Sequence, residues 1–92
     1  LFGQYQGIIF APKISLEKPA ENEIIHADKV TLVGQTNSGV TLTLNGQPLA
    51  LTNGKFTKEI SVSPGTVVLT LEATNKFGKK AELERTIRVE NP

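Results

Sequence analysis

The chain lacks cysteine, methionine and tryptophan, and carries a single histidine and a single aspartate among its 92 residues. Each shortage closes off a class of function. Without cysteine there are no disulfides, thiolate metal sites or cysteine nucleophiles, so the fold rests on packing alone; the absence places the chain neither inside nor outside the cell. One histidine cannot supply the several His or Cys ligands of a zinc site, and Asp28 with scattered glutamates does not make the hard-oxygen cage calcium needs. No metal and no cofactor is expected. Methionine is missing even at position 1, which leads to the expectation that translation begins upstream and that this is a processed form or a piece of a longer protein. Net charge is +1 with lysine and glutamate interspersed along the sequence, so the sequence shows no electrostatic footprint for nucleic acid and no basic stripe for anionic lipid, and neither partner is favoured.

What the chain does contain is strand and turn grammar. Between Lys29 and Gly78, short alternating stretches are separated by glycine-bearing turns at near-regular spacing, the pattern of an all-β domain. Val30, Leu32 and Gly34 share one parity. Val40, Leu42 and Leu44 share the inner parity of the next strand, and Asn45-Gly46 is a strong hairpin signal because both residues tolerate positive φ. Asn53-Gly54 makes a second such turn, and Ser63-Pro64-Gly65 a third. Val67, Leu69, Leu71 and Ala73 then form an inner face, and after Asn75-Lys76-Phe77-Gly78 the last strand places Ala81, Leu83, Ile87 and Val89 inward. Ahead of this body, Ile14 and Leu16 read as a half-buried strand running into Lys18-Pro19, with Ile24-Ile25 as its short continuation. Lys58 and Arg85 fall at core parity, which calls for a bulge or for stems that snorkel past the sheet edge, the latter preferred for Arg85 near the end of the sandwich. No helical spacing lasts a full window. The fold class is an immunoglobulin-like antiparallel β-sandwich of about seven strands, with an N-terminal arm over residues 1–11 and the sandwich over 12–92.

The arm, Leu1 to Ala11, holds three of the five aromatics. It is too short and too polar at Gln4 and Gln6 to cross a bilayer, which takes about 20 apolar residues. Aromatics near a chain start nonetheless suit a membrane–water interface. The plainer reading is that Ile8, Ile9 and Phe10 cover the bottom of the sandwich. Phe2, Tyr5, Ile8, Ile9 and Phe10 are the candidate protein-contact residues, because they cluster.

The order Val30-x-Leu32-x-Gly34-x-Thr36, Val40-x-Leu42-x-Leu44-Asn45-Gly46, Asn53-Gly54-Lys55-Phe56, Pro64-Gly65, Leu69-x-Leu71-x-Ala73, Gly78 and Arg85-x-Ile87-x-Val89 resembles bacterial immunoglobulin-like domains of the glucodextranase B-domain type over about residues 12 to 90. A looser resemblance, carried by Phe2-x-x-Tyr5-x-Gly7-Ile8-Ile9-Phe10-Ala11-Pro12, is to single-pass bacterial helix-turn-helix membrane proteins related to the cell-shape protein RodZ, in which an aromatic juxtamembrane stretch leads into such a sandwich. That resemblance implies an extracytoplasmic place in the bacterial envelope or surface.

Catalysis finds little support. Acyl transfer needs a nucleophile, a base and an orienting acid that converge. His26 and Asp28, two apart in an extended segment, point the same way, but no serine is placed to join them, and the plainer reading is a polar loop with Asp28 in a local backbone hydrogen bond. Glu82 and Glu84 share an outward face with Lys80 and Arg88, which reads as a solvated charged surface rather than an acid/base pair for sugars. Carbohydrate binding is the alternative that the family resemblance suggests, set against the absence of tryptophan and a single Tyr5 for stacking.

The expectation is therefore a non-catalytic module that spaces, presents or pairs. Its partner is a protein, including a second copy of itself; nucleic acid is not expected, and a membrane lies adjacent through an upstream segment. Exposed strand edges suit contact by strand addition. The arm is open to three roles: a juxtamembrane stalk, a strand donated to a neighbour, or a cover folded on its own domain.

Overall fold

A computed structural model describes residues 10–91. Eight strands form two sheets: β1 (Ile14–Lys18), β2 (Ile24–Ile25), β3 (Lys29–Thr36), β4 (Thr41–Leu44), β5 (Gln47–Leu49), β6 (Lys55–Ser61), β7 (Gly65–Thr74) and β8 (Lys80–Val89). One sheet has the order β1-β3-β6, the other β2-β8-β7-β4-β5. All neighbours are antiparallel except β2 against β8. No helix occurs among the described residues. This is an immunoglobulin-like sandwich.

The alternation read from the sequence becomes the core. Leu16, Val30, Leu32, Leu42, Leu44, Leu49, Phe56, Leu69, Leu71, Ala73, Ile87 and Val89 form one buried cluster, and no polar or charged residue among those described is buried with them. They come from seven of the eight strands, so the inner faces of both sheets close on one another and exclude water.

Eight strands stand where about seven are expected, because the first one divides. β1 pairs with β3, with its register shifting between Leu16 and Lys18; the chain then crosses at Pro19 to the other sheet, where Ile24 and Ile25 run beside Arg88 and Val89. The crossover is tied down by main-chain bonds. Asn22 N–H donates to the Thr86 carbonyl (2.7 Å), and Arg88 N–H to the Glu23 carbonyl (2.9 Å). Glu21 Oε1 accepts from Thr86 N–H (3.0 Å), so a carboxylate stands in for a missing strand partner on the β8 edge.

Arg85 explains its own place at core parity. The β7–β8 ladder runs unbroken from Gly65↔Val89 to Thr74↔Lys80, so no bulge displaces it. Its guanidinium instead reaches sideways to the crossover: Nη1 donates to the Pro19 carbonyl (2.9 Å), and Nε lies 3.7 Å from Glu21. It therefore snorkels at the lateral seam, in the middle of β8, rather than at the sandwich end. Lys58 likewise sits in an unbroken β3–β6 ladder opposite Leu32. Its side chain is exposed because β6 is an edge strand, and it borders the opening between β6 and the β4–β5 hairpin.

Two Asn-Gly turns do different jobs. Asn45 (φ 50°) and Gly46 (φ 84°) close the β4–β5 hairpin, and Asn45 also extends the sheet: its N–H donates to the Thr70 carbonyl (2.8 Å) while its Oδ1 accepts from Thr70 N–H (2.9 Å). Asn53 and Gly54, with φ 53° and 79°, carry the chain from one sheet to the other, and the Gly54 carbonyl accepts from Thr36 N–H (2.7 Å).

Candidate functional site

The arm enters the sandwich at the end formed by the last residues of β3 and β7 and the first residues of β1, β4, β6 and β8. The registers fix this: Ile14 pairs with Thr36, Gln35 with Lys55, and Thr74 with both Thr41 and Lys80. An open cleft of about 730 Å³ lies here between the arm, the β3–β4 loop and the β7–β8 turn, with Phe10, Pro12, Lys13, Asn37, Val40 and Phe77 along its walls.

Two asparagines build this end. Asn75 Oδ1 accepts from the N–H groups of Phe77 (2.9 Å) and Lys79 (3.0 Å), which holds the β7–β8 turn, while its Nδ2 donates to the Phe10 carbonyl (2.9 Å), which fastens the arm to that turn. Asn37 Oδ1 accepts from Lys13 N–H (2.7 Å) and ties the segment just after the arm to the β3–β4 loop. Backbone groups that a terminal segment would otherwise leave to water are thereby held by side chains.

The consequence is an aromatic display. Phe10 is 79 % exposed and Phe77 61 % exposed, although aromatic side chains are normally drawn inward. Lys76 Nζ lies 5.5 Å from the centre of the Phe77 ring, within range of a cation–π contact. Phe10 thus does not cover the bottom of the sandwich. Of the other candidate contact residues, Phe2, Tyr5, Ile8 and Ile9 lie outside the described residues. Phe77 and Asn75 are the participants that sequence reasoning treats only as turn residues. The available signal is a large aromatic at the tip of a turn, flanked by Lys76 and Gly78, where small and polar residues are the rule.

The family described as glucodextranase, domain B, matches residues 12–91, nearly the whole chain. The chain belongs to the glucodextranase domain B family. Among solved structures, this domain B resembles the fibronectin(III)-like modules of CbhA from Clostridium thermocellum, with a TM-score of 0.61 and 16 % identity over 84 % of this chain and 94 % of that one. It also resembles an engineered protein, with a TM-score of 0.63 and 17 % identity over 86 % of this chain, though it spans only 20 % of that one. At such identities the likeness concerns the fold alone. No curated protein matches in sequence.

The remaining candidates in this domain B stand apart from the arm end. His26 faces Glu90, Nδ1 to Oε1 3.9 Å, and both are well exposed. Asp28 engages Val62 through its main-chain carbonyl (2.9 Å). Glu82 lies opposite Glu72 and Glu84 opposite Thr70 across the β7–β8 ladder, and both Glu82 and Glu84 are exposed. Among the described residues no three His, Cys, Asp or Glu side chains converge on a metal-binding point.

Proposed function

We propose that this chain is a non-catalytic, extracytoplasmic module of a bacterial envelope or surface protein, which spaces its neighbours and makes protein contact through the arm end. The observation that carries this reading is the fixed base of the arm: Asn75 holds Phe10 and Asn37 holds Lys13 against two loops, while Phe10 and Phe77 are both exposed at this end. Two large aromatics held outward suit a contact surface, because their burial on binding removes apolar area from water at little cost in ordering. Phe2, Tyr5, Ile8 and Ile9 extend the same apolar character along the arm. The partner is a protein, with a second copy of the chain as the first candidate, and the membrane lies on the arm side.

A second reading, carbohydrate binding as an accessory to a glycan-active enzyme, is favoured by the cleft and the Phe10–Phe77 pair. It ranks below the first because the Asn75 amide is engaged through both its oxygen and its nitrogen, and the Asn37 side-chain oxygen is engaged with Lys13.

Sedimentation of the full chain beside a chain starting at Pro12 tests the proposal. Every core residue among those described lies between Leu16 and Val89 and is kept in the shortened chain. Self-association of the full chain alone supports the reading. Equal behaviour of the two chains removes the arm from it, and saturable binding of a soluble glucan by both would favour the carbohydrate alternative.

A further inference from the structure

Lysine and glutamate alternate along the sequence, but the fold sorts them. The segments that meet at the arm end are residues 10–15, 34–42, 50–56 and 73–81, as the strand registers define. They bring together Lys13, Lys55, Lys76, Lys79 and Lys80, all exposed, and the nearest carboxylates, Glu72 and Glu82, face each other across the β7–β8 ladder one residue beyond these segments. Half of the chain's ten cationic side chains are therefore at this end, which carries +5 over these segments and still +3, against −2 for the remainder, when Glu72 and Glu82 are counted with it. A domain with a net charge near zero is strongly polarised along its length.

From this polarity we infer that the arm end docks on the surface of an anionic lipid bilayer. The inference deepens the membrane-adjacent part of the reading above and rests on it. Two independent observations converge. The lysines supply the long-range attraction, since cationic side chains near an anionic membrane surface each contribute to partitioning and their flexible stems reach toward headgroups. Phe10 and Phe77 project from the same end, and aromatic rings sit favourably at the level of the headgroups. Lys76 over the Phe77 ring places a cation and an apolar surface together, the pairing a membrane interface accommodates. The occupant follows from the rest of the chain: residues 1–9 contain no charged side chain and include Leu1, Phe2, Tyr5, Ile8 and Ile9. A bilayer takes up such residues together with the basic rim, whereas a nucleic acid would match the lysines and leave the aliphatic ones unpartnered. Glu21, Glu23, Glu59 and Glu90, away from the arm end, are repelled by the same surface, which favours approach by the arm end.

The test is co-sedimentation of the full chain with vesicles of phosphatidylglycerol and phosphatidylcholine mixed one to three, against vesicles of phosphatidylcholine alone. Two variants have the same net charge of −3 but differ in where charge is lost: Lys13→Gln, Lys76→Gln, Lys79→Gln and Lys80→Gln at the arm end, and Lys18→Gln, Lys29→Gln, Lys58→Gln and Arg88→Gln elsewhere. All eight side chains are exposed, and thermal unfolding confirms that each variant is folded. The expected result is binding to the anionic vesicles that fades as salt shortens the screening length, falls by at least about a hundredfold in the arm-end variant at about fivefold per lysine, and survives in the control variant. Phe10→Ser with Phe77→Ser is expected to weaken binding further at high salt. Equal binding to both vesicle types, equal loss in both charge variants, or no binding to anionic vesicles at low salt overturns the inference. So does preference for a single-stranded oligonucleotide over the vesicles that disappears in the arm-end variant. Self-association measured without lipid is a separate readout, so a failure here does not count against the protein-contact reading.

Discussion

Gly34 offers the sharpest test of how the two sheets close. It lies in β3 between Leu16 of β1 and Phe56 of β6, directly paired with each. A Cβ at this position would stand 2.6 Å from Phe56 Cζ and nearer still to the Ser15 carbonyl oxygen, where ordinary contact begins at 3.4 Å. In Gly34→Ala the Phe56 ring must retreat by about 0.8 Å, and β1 must give as well, because the Ser15 oxygen belongs to the main chain. Phe56 is buried in the core cluster and has little room to move. Overpacking of this kind costs about 1–3 kcal/mol. Against it, alanine restricts the unfolded chain and returns about 0.4–1 kcal/mol. Because the main chain of β1 must shift as well, the upper part of the overpacking range, about 2–3 kcal/mol, applies. The net expectation is a loss of about 1–2.6 kcal/mol, or a fall in Tm of roughly 4–21 °C for a domain of this size. Thermal unfolding followed by circular dichroism measures it, and a cycle with Phe56→Leu isolates the ring's share, with a coupling of at least about 0.5 kcal/mol expected. A Tm for Gly34→Ala equal to or above that of the parent would refute the close approach of ring and carbonyl to Gly34.

Three further outcomes are expected. Arg85→Met removes the guanidinium that serves the Pro19 carbonyl and Glu21 and should cost about 1–3 kcal/mol in denaturant unfolding; a neutral result would mean that the crossover is held by its main-chain bonds alone. Asn75→Asp keeps the acceptor for Phe77 and Lys79 but loses the donor to Phe10, so limited proteolysis should cut faster near Phe10 at nearly unchanged Tm, whereas Asn75→Ala should also lower Tm; equal proteolysis in parent and Asn75→Asp would detach Asn75 from the arm. The buried Thr36 Oγ1 has no hydrogen-bond partner among the described residues, so Thr36→Val should be neutral or stabilising by up to about 1 kcal/mol, and a clear loss of stability in denaturant would reveal a partner for the hydroxyl.

The strands are legible in the sequence wherever one face is buried, since period-2 alternation then has to appear: Val30 and Leu32, Leu42 and Leu44, and Leu69, Leu71 and Ala73 are all read inward and are all core. The turns are legible because Asn45-Gly46 and Asn53-Gly54 need positive φ. What the sequence does not disclose is which sheet a short strand joins. Ile24-Ile25 reads as more of β1, yet it pairs with β8 in the opposite sheet, a choice made by the free edge of β8 and by Glu21 reaching Thr86 rather than by local pattern. Arg85 is anomalous by parity for the same reason, because its partner, the Pro19 carbonyl, is distant in the chain. The contact surface is legible only in part. The clustered aromatics draw attention to Phe10, but Phe77 looks like a turn residue, and the basic end is invisible because Lys13, Lys55 and Lys76 come from three separate segments that only strand register brings together.

The most direct test of the arm end as the working surface is an amide chemical-shift map of the full chain over a dilution series, repeated on the chain starting at Pro12. The account predicts concentration-dependent shifts confined to Phe10–Lys13, Asn37–Val40 and Asn75–Lys80, and their disappearance in the shortened chain. Shifts centred instead on β2 or the β4–β5 hairpin, shifts that persist without the arm, or no concentration dependence in either chain would contradict it.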